Sequence, residues 1–398
     1  AETLGEPALA AEAKLRAGQV QSLKDPGGAL DLLEAAARQA AEAKDDSLAA
    51  RIAIEMMAIA IFPMRQLDEA ERLRPLAESA VIRAGDPPPQ RARYLAQLSR
   101  LRNHQGDHAA ARAAIEAALE LEAKLHGPES VQLANSLNHL ATVMASQGQQ
   151  DEAIAVRERT MRLLTTAYGP EHPHLAVVLT NLGTSYFSLG RYPQALETIA
   201  RGLEIKERVH GPDHPSLLAN LINLGNTYLK LGRPADAVAR LVRAREIAGK
   251  TYGTAHVSYA HVLSILSDAM QAQGDKPGAE ALLVEVLAIQ SEAGRDRPEL
   301  AETLFALGSL EAERGDLKGA RGHLERARRI AETTAGPRSE LRAQALEAMA
   351  RLEGAEGKPA LARRTMEEAI AIAVEALGAD HPTVATMREA LTSMSRAP

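Results

Sequence analysis

Histidines are the residues best equipped for chemistry in this 398-residue chain, and they gather. His172 and His174 flank one proline, His210 and His214 bracket a Gly-Pro-Asp, and His126 and His256 hold equivalent positions. Imidazoles so spaced suit metal ligation or proton transfer. A metal centre, however, wants three or four convergent ligands with second-shell support. Here His172-Pro173 and His214-Pro215 place a proline where a helix would begin, its missing N–H costing nothing there. The histidines therefore read as junction residues, and no metal is assigned. Carboxylate pairs such as Asp45-Asp46 and Glu367-Glu368 are chain neighbours, which do not face each other on a helix, so they read as solvated surface. Phosphate-binding, dinucleotide, zinc-hydrolase and serine-elbow motifs are missing. With no Cys, thiolate and disulfide chemistry are excluded. No catalytic residue and no cofactor is assigned.

A second set of polar residues recurs at helical spacing. Arg93, Arg100, Asn103 and His104 fall on one side of a helix. A fixed step along the chain then brings Asn135, Asn138 and Thr142, followed by Thr180, Thr184, Phe187 and Ser188. Asn226 and Lys230 come next, and then His261, Ser264 and Asp268. Asparagine offers a donor and an acceptor to an extended backbone; arginine grips a carboxylate through two parallel bonds. Asn and Thr are modest helix formers, so their recurrence favours a recognition surface. Phe187 is read as the one large apolar contact on it. Arg157 is read as lying on the opposite, outer face.

The step comes from a repeat. Gly85, Gly127, Gly169, Gly211 and Gly253 are each 42 residues apart, and Gly294, Gly336 and Gly378 continue the series with a single step of 41. Gly106, Gly148, Gly190, Gly232, Gly274, Gly315 and Gly357 interleave with the same steps. Self-similarity of this period marks a solenoid. Within residues 173–211, Leu175, Leu179, Leu182, Gly183 and Tyr186 form one apolar stripe and Ala195, Leu196, Ile199 and Leu203 a second, separated by Gly190-Arg191-Tyr192-Pro193. Each unit is thus a helical hairpin, its glycines expected to stop helices in the left-handed conformation. Columns persist along the chain: Leu95, Leu137, Leu179, Leu221, Leu263, Leu304 and Leu346, then a position always small, from Ser99 through Ala141, Gly183, Gly225, Ser267 and Gly308 to Ala350. These are core, and the small column lets helices approach closely.

Composition narrows the partners. The net charge of −6 and the 3% aromatic content, without Trp, argue against nucleic acid, which needs stacking platforms in a basic groove. No apolar run approaches a membrane span, and Ala1-Glu2-Thr3-Leu4 does not open a signal peptide, so the expectation is a cytoplasmic protein with no membrane insertion. The first residue is not Met, so the chain reads as a processed product or a piece of a longer protein. The expected organisation is degenerate helical hairpins over 1–89, with turns at Asp25-Pro26-Gly27-Gly28 and Pro63–Gln66, a regular array over 90–381, and a capping helix over 382–398 that presents Arg388 where the column otherwise carries Leu.

The Leu-Gly pairs Leu182-Gly183 and Leu224-Gly225, the aromatics Tyr186 and Tyr228, and the alanine opening each second helix resemble the tetratricopeptide repeat. The longer period, Gly169-Pro170-Glu171-His172-Pro173, Gly211-Pro212-Asp213-His214-Pro215 and Asn181-Leu182-Gly183 resemble its kinesin-light-chain-like form, with degraded junctions at Gly253-Thr254-Ala255-His256-Val257 and Gly294-Arg295-Asp296-Arg297-Pro298. The resemblance implies an all-α solenoid of stacked helix pairs forming a superhelix, with a bacterial source. It also implies that the polar face described above lines the concave groove. The chain is then expected to be a non-catalytic scaffold holding a protein or peptide segment, one carrying an acidic group. The alternatives are the regulatory or sensor region of a larger bacterial enzyme, a Ser/Thr kinase or repeat-linked protease, and a solenoid that senses a signalling peptide.

Overall fold

The structure, a computed structural model, describes residues 7–22, 25–62, 64–292, 294 and 296–394. The opening Ala1-Glu2-Thr3-Leu4, Pro63 of one expected turn, Arg295 of one degraded junction and the end of the capping segment beyond Met394 lie outside them. Among the described residues every regular element is a helix. The chain divides into two compact units, Ala1–Val209 and His210–Pro398.

The first unit is five hairpins. They are α1 (Pro7–Gln21) with α2 (Pro26–Glu42), α3 (Asp46–Ile61) with α4 (Leu67–Arg83), α5 (Pro88–His104) with α6 (His108–His126), α7 (Ala134–Ser146) with α8 (Gln150–Tyr168), and α9 (Pro173–Ser188) with α10 (Tyr192–His210). A short 3-10 turn, Val131–Leu133, leads into α7. α1 and α2 pair, but the glycines of the expected Asp25-Pro26-Gly27-Gly28 turn do not make it. Asp25 caps α2 by accepting from Gly28 N, which draws both glycines into the first helical turn.

The second unit is four hairpins and a lone helix. They are α11 (Leu218–Lys230) with α12 (Pro234–Tyr252), α13 (Val257–Gln273) with α14 (Lys276–Glu292), α15 (Pro298–Arg314) with α16 (Leu317–Thr334), and α17 (Glu340–Ala355) with α18 (Pro359–Leu377), followed by α19 (Pro382–Met394). Val384 and Met387 of α19 are buried, while Arg388 stays exposed and donates to Ala379 O.

The apolar columns become the cores. Leu175, Leu179 and Leu182 are buried in the first unit, Leu221, Leu263 and Leu304 in the second. At the small column a Cβ on Gly183 would stand 2.3 Å from Ile199 Cγ1, so α9 and α10 meet closer than any side chain there would allow. The two glycine series differ in geometry. Gly274, within a hairpin, is left-handed at φ 97°, ψ −1°. Gly169, between hairpins, has φ 88° but ψ 167°, an extended conformation open almost only to glycine. The left-handed stop expected there is corrected accordingly: the chain must leave α8 and run out toward the next hairpin.

Arginines from second helices fasten these joints. Arg159 donates to Pro128 O (2.6 Å), Arg201 to Pro170 O (3.2 Å) and Arg243 to Pro212 O, each holding the loop that precedes its own hairpin. First helices touch across hairpins, α1 to α3, α3 to α5, α5 to α7 and α7 to α9 in the first unit, and α11 to α13 and α15 to α17 in the second. Among the described residues, second helices make no comparable contact with one another. The first helices therefore line the tighter, inner side within each unit.

Candidate functional site

Of the first helices on the inner side of the first unit, α1 and α3 carry carboxylates, whereas the three successive helices α5, α7 and α9 contain no Asp or Glu. Arg93, Arg100, His104 and Asn135 are exposed there; Asn103, Asn138, Thr142 and Phe187 are half-buried. Arg91 pairs with Asp86 and Arg102 with Glu71, whereas no described carboxylate pairs with Arg93 or Arg100. Desolvation lowers the Arg100 pKa from its ordinary value even though the side chain is exposed, as happens where a group meets water on one side and neighbouring helices on the others. A guanidinium so lowered is still charged at neutral pH.

Asn138 and Asn181 join adjacent first helices: Asn181 Nδ2 donates to Asn138 Oδ1 across 3.3 Å. This leaves the Asn181 carbonyl and the Asn138 amide group to meet a ligand. Other side chains expected here are already engaged. Asn103 Oδ1 takes the His108 ring at 2.9 Å. Thr142 and Thr184 donate to the carbonyls of Asn138 and Thr180, four residues back. Thr180 itself is buried and donates to Ala176 O at 2.7 Å, so it belongs to the helix interface and not to the open face. Phe187 lies edge-on to Tyr192, with ring centroids 5.4 Å apart. It is not the sole large apolar side chain, because Val177, in the column of Arg93 and Asn135, is half exposed.

His139, not singled out from the sequence, also belongs here. Its Nε2 is 2.9 Å from Ser99 Oγ. The atoms match a nucleophile and base, but Ser99 is fully buried and its proton goes to Ala111 O at 2.7 Å, so the hydroxyl cannot attack a substrate. Burial, with Arg100 and His104 nearby, pushes the His139 pKa down to about 4, and the ring is neutral at physiological pH. The signal available beforehand was the column Gln97, His139, Asn181 and Asn223, polar in four consecutive repeats.

Arg157 does not lie outside. It is 3% exposed, its Nη1 donates to Ser185 Oγ, and its Nε has no partner. Desolvation brings its pKa to about 10. Its column otherwise holds Ile115, Ile199, Leu241, Leu283, Leu324 and Met366, so a cation stands where the repeat expects a core aliphatic.

The second unit carries Asn226, half-buried, and Lys230, exposed, on α11. Further on its first helices turn acidic. Asp268 of α13 has its pKa raised to about 6 by desolvation and by the charge of Glu302 on α15, which is itself raised by desolvation and Glu299.

The histidines of the joints have a structural task. His172, His214, His256 and His381 each precede a helix and accept a backbone N–H two residues on through Nδ1, at 3.0–3.3 Å. Three of them stack on the ring four residues earlier: Tyr168 on His172 at 4.4 Å, His210 on His214 at 4.5 Å and Tyr252 on His256 at 5.1 Å. The degraded junction at Gly253 thus keeps its cap and its stack. Among the described residues no three His, Asp or Glu side chains converge as a metal would require, and no helix is long and apolar enough to cross a membrane.

Two family models described as tetratricopeptide repeat match the sequence, one over 90–166, 147–208, 174–250, 221–292 and 259–333, the other over 342–383. A search of curated protein sequences finds no match. Among solved structures, the apo form of the quorum sensor NprR from B. thuringiensis aligns over 91% of this chain and 98% of its own, with 14% identity and a TM-score of 0.64. A Rap protein complexed with competence and sporulation factor aligns over 87% and 97%, with 13% identity and a TM-score of 0.52. Nearly identical repeats from a kinesin light chain of Podospora anserina share 27% identity over 52% of this chain and 99% of theirs, with a TM-score of 0.46.

Proposed function

Because the chain belongs to the tetratricopeptide repeat family, we propose that it is a non-catalytic scaffold whose first-helix face holds an extended protein or peptide segment bearing a carboxylate. The observation that carries this reading is the absence of any acidic residue from α5, α7 and α9, together with Arg93 and Arg100 having no carboxylate partner among the described residues. The ligand supplies the missing anion. Asn138, Asn181 and Asn135 take its backbone, and Val177 and Phe187 offer apolar contact. The second unit, taken by itself, offers an amide at Asn226 and a single positive charge at Lys230. One structural neighbour is a Rap protein with competence and sporulation factor bound, in keeping with this use of the fold.

The test is calorimetry against acidic peptides selected from an immobilised peptide library. A charge-assisted bond contributes roughly 1.5–3 kcal/mol, so Arg100→Ala weakens binding about tenfold or more and flattens its salt dependence. Asn138→Ala weakens binding and leaves the salt dependence unchanged. Arg162→Ala, on the exposed side of α8, changes neither. Equal losses for Arg162→Ala and Arg100→Ala would place the ligand elsewhere.

A further inference from the structure

The tautomer of His139 follows from its neighbours. Ser99 has one hydroxyl hydrogen, and the carbonyl of Ala111, 2.7 Å away, can only accept it. The remaining contact of Ser99 Oγ, 2.9 Å from His139 Nε2, must then have the histidine as donor. The hydrogen sits on Nε2, and Nδ1 keeps its lone pair. No described residue donates to Nδ1, and the His139 side chain is only half-buried. Gln97, in the equivalent position one hairpin earlier, has its Oε1 without a donor as well. Gln97 Oε1 is sealed from solvent, so what the inner side of α5 and α7 presents is a guanidinium without an anion beside one acceptor, His139 Nδ1.

Resting on the reading above, we propose that His139 determines the specificity of this face: Nδ1 accepts an N–H from the ligand while Arg100 holds an adjoining carboxylate. The chemistry recognised is a carboxylate flanked by its own amide N–H, and a phosphate, which at neutral pH brings chiefly oxygen lone pairs to Nδ1, is rejected. A neutral imidazole at physiological pH is what this requires, and burial beside Arg100 and His104 supplies it. A peptide offers the pairing from two sources, its C-terminal residue or an internal aspartate.

The experiment follows the ring nitrogens of His139 by NMR in the full chain while four probes are added. N-acetylglycinate represents the terminus and N-acetyl-aspartate N-methylamide the internal residue. N-acetylsarcosinate keeps the carboxylate but lacks the N–H, and inorganic phosphate supplies the competing anion. The expected result is that one of the first two moves the Nδ1 resonance and binds about five- to tenfold more tightly than N-acetylsarcosinate, the worth of one hydrogen bond; whichever does so identifies the source. Phosphate leaves Nδ1 unmoved. His139→Phe removes the preference for the N–H and keeps carboxylate binding, and Arg100→Gln removes both. Ser99→Ala, with the alanine that column already holds at Ala141, frees the tautomer and reduces the preference without emptying the core. Equal binding of N-acetylglycinate and N-acetylsarcosinate, lost in Arg100→Gln, overturns the role of His139 and leaves the peptide-binding reading standing. Phosphate binding as well as the carboxylates, or no probe reaching His139, overturns the proposal, while library-selected peptides report separately on the face as a whole.

Discussion

Arg157 Nη1 donates to Ser185 Oγ inside the first unit, in a column that every other repeat fills with an aliphatic side chain. Ser185 also donates to Gln150 Oε1 at 2.9 Å, so the serine stays satisfied without the arginine. Replacing a desolvated charge by a well-packed apolar side chain is often stabilising, by about 1–4 kcal/mol. Arg157→Leu is therefore expected to raise the denaturation midpoint, read by urea titration. A lower midpoint would mean that the guanidinium contributes more than its desolvation costs.

The close approach at Gly183 makes the opposite prediction. An added Cβ meets Ile199 Cγ1 at 2.3 Å and Ala195 O at 3.3 Å. Gly183→Ala is expected to cost about 1–3 kcal/mol, as overpacking does. Hydrogen exchange should quicken in α9 and α10 and not in α1 or α2, since repeats in such arrays hold only their neighbours. Pairing it with Ile199→Val should recover part of the loss; no recovery would show the backbone to be the obstacle.

Asp268 supplies a pH dependence. Its folded pKa, about 6, lies above its ordinary value of 3.8, so the native state binds the proton more tightly than the unfolded chain does. Its contribution is whole below the ordinary aspartate range and is lost as pH rises through about 6. Asp268→Asn should accordingly melt higher than the parent at pH 7 and no higher at pH 4. A gain of equal size at both values would remove titration as the cause.

The imidazole caps give a matched pair of variants. His214→Ala removes the acceptor for Ser216 N and the ring that stacks on His210, and should cost about 0.5–2 kcal/mol. His214→Ser restores the acceptor alone, as Ser130 and Ser339 provide it at their own joints. Thermal melting of the two separates cap from stack: equal losses assign the stability to the rings.

Periodicity made the architecture legible before any coordinates. Leu179, Leu182 and Gly183 lie where their columns require, because a core that repeats leaves the same mark many times over. The edges of a helical face were harder. Thr180 follows Leu179, and its column mixes Ala96, Asn138, Ile222 and Phe305, so sequence spacing alone could not decide whether it faced water. Arg157 was misplaced because its charge was weighed and its column was not. His139 escaped notice since its neutrality depends on Ser99, Arg100 and His104 together. The histidine caps looked like a motif without a cause until the Nδ1 contacts supplied one.

The Gly-Pro joints bear on how such a chain changes over generations. The blocks that begin at Gly127, Gly169 and Gly211 each carry their own loop, their own cap and the arginine that fastens that loop. Excision of residues 127–168 would remove Pro128 together with Arg159 and leave Pro170 with Arg201. It would also set His126 four places before His172, the same ring pair that His210 and His214 form. Recombination among these three blocks can therefore shorten or lengthen the array and inherit a working joint at the seam, so the number of such hairpins is open to change while their joint chemistry is not.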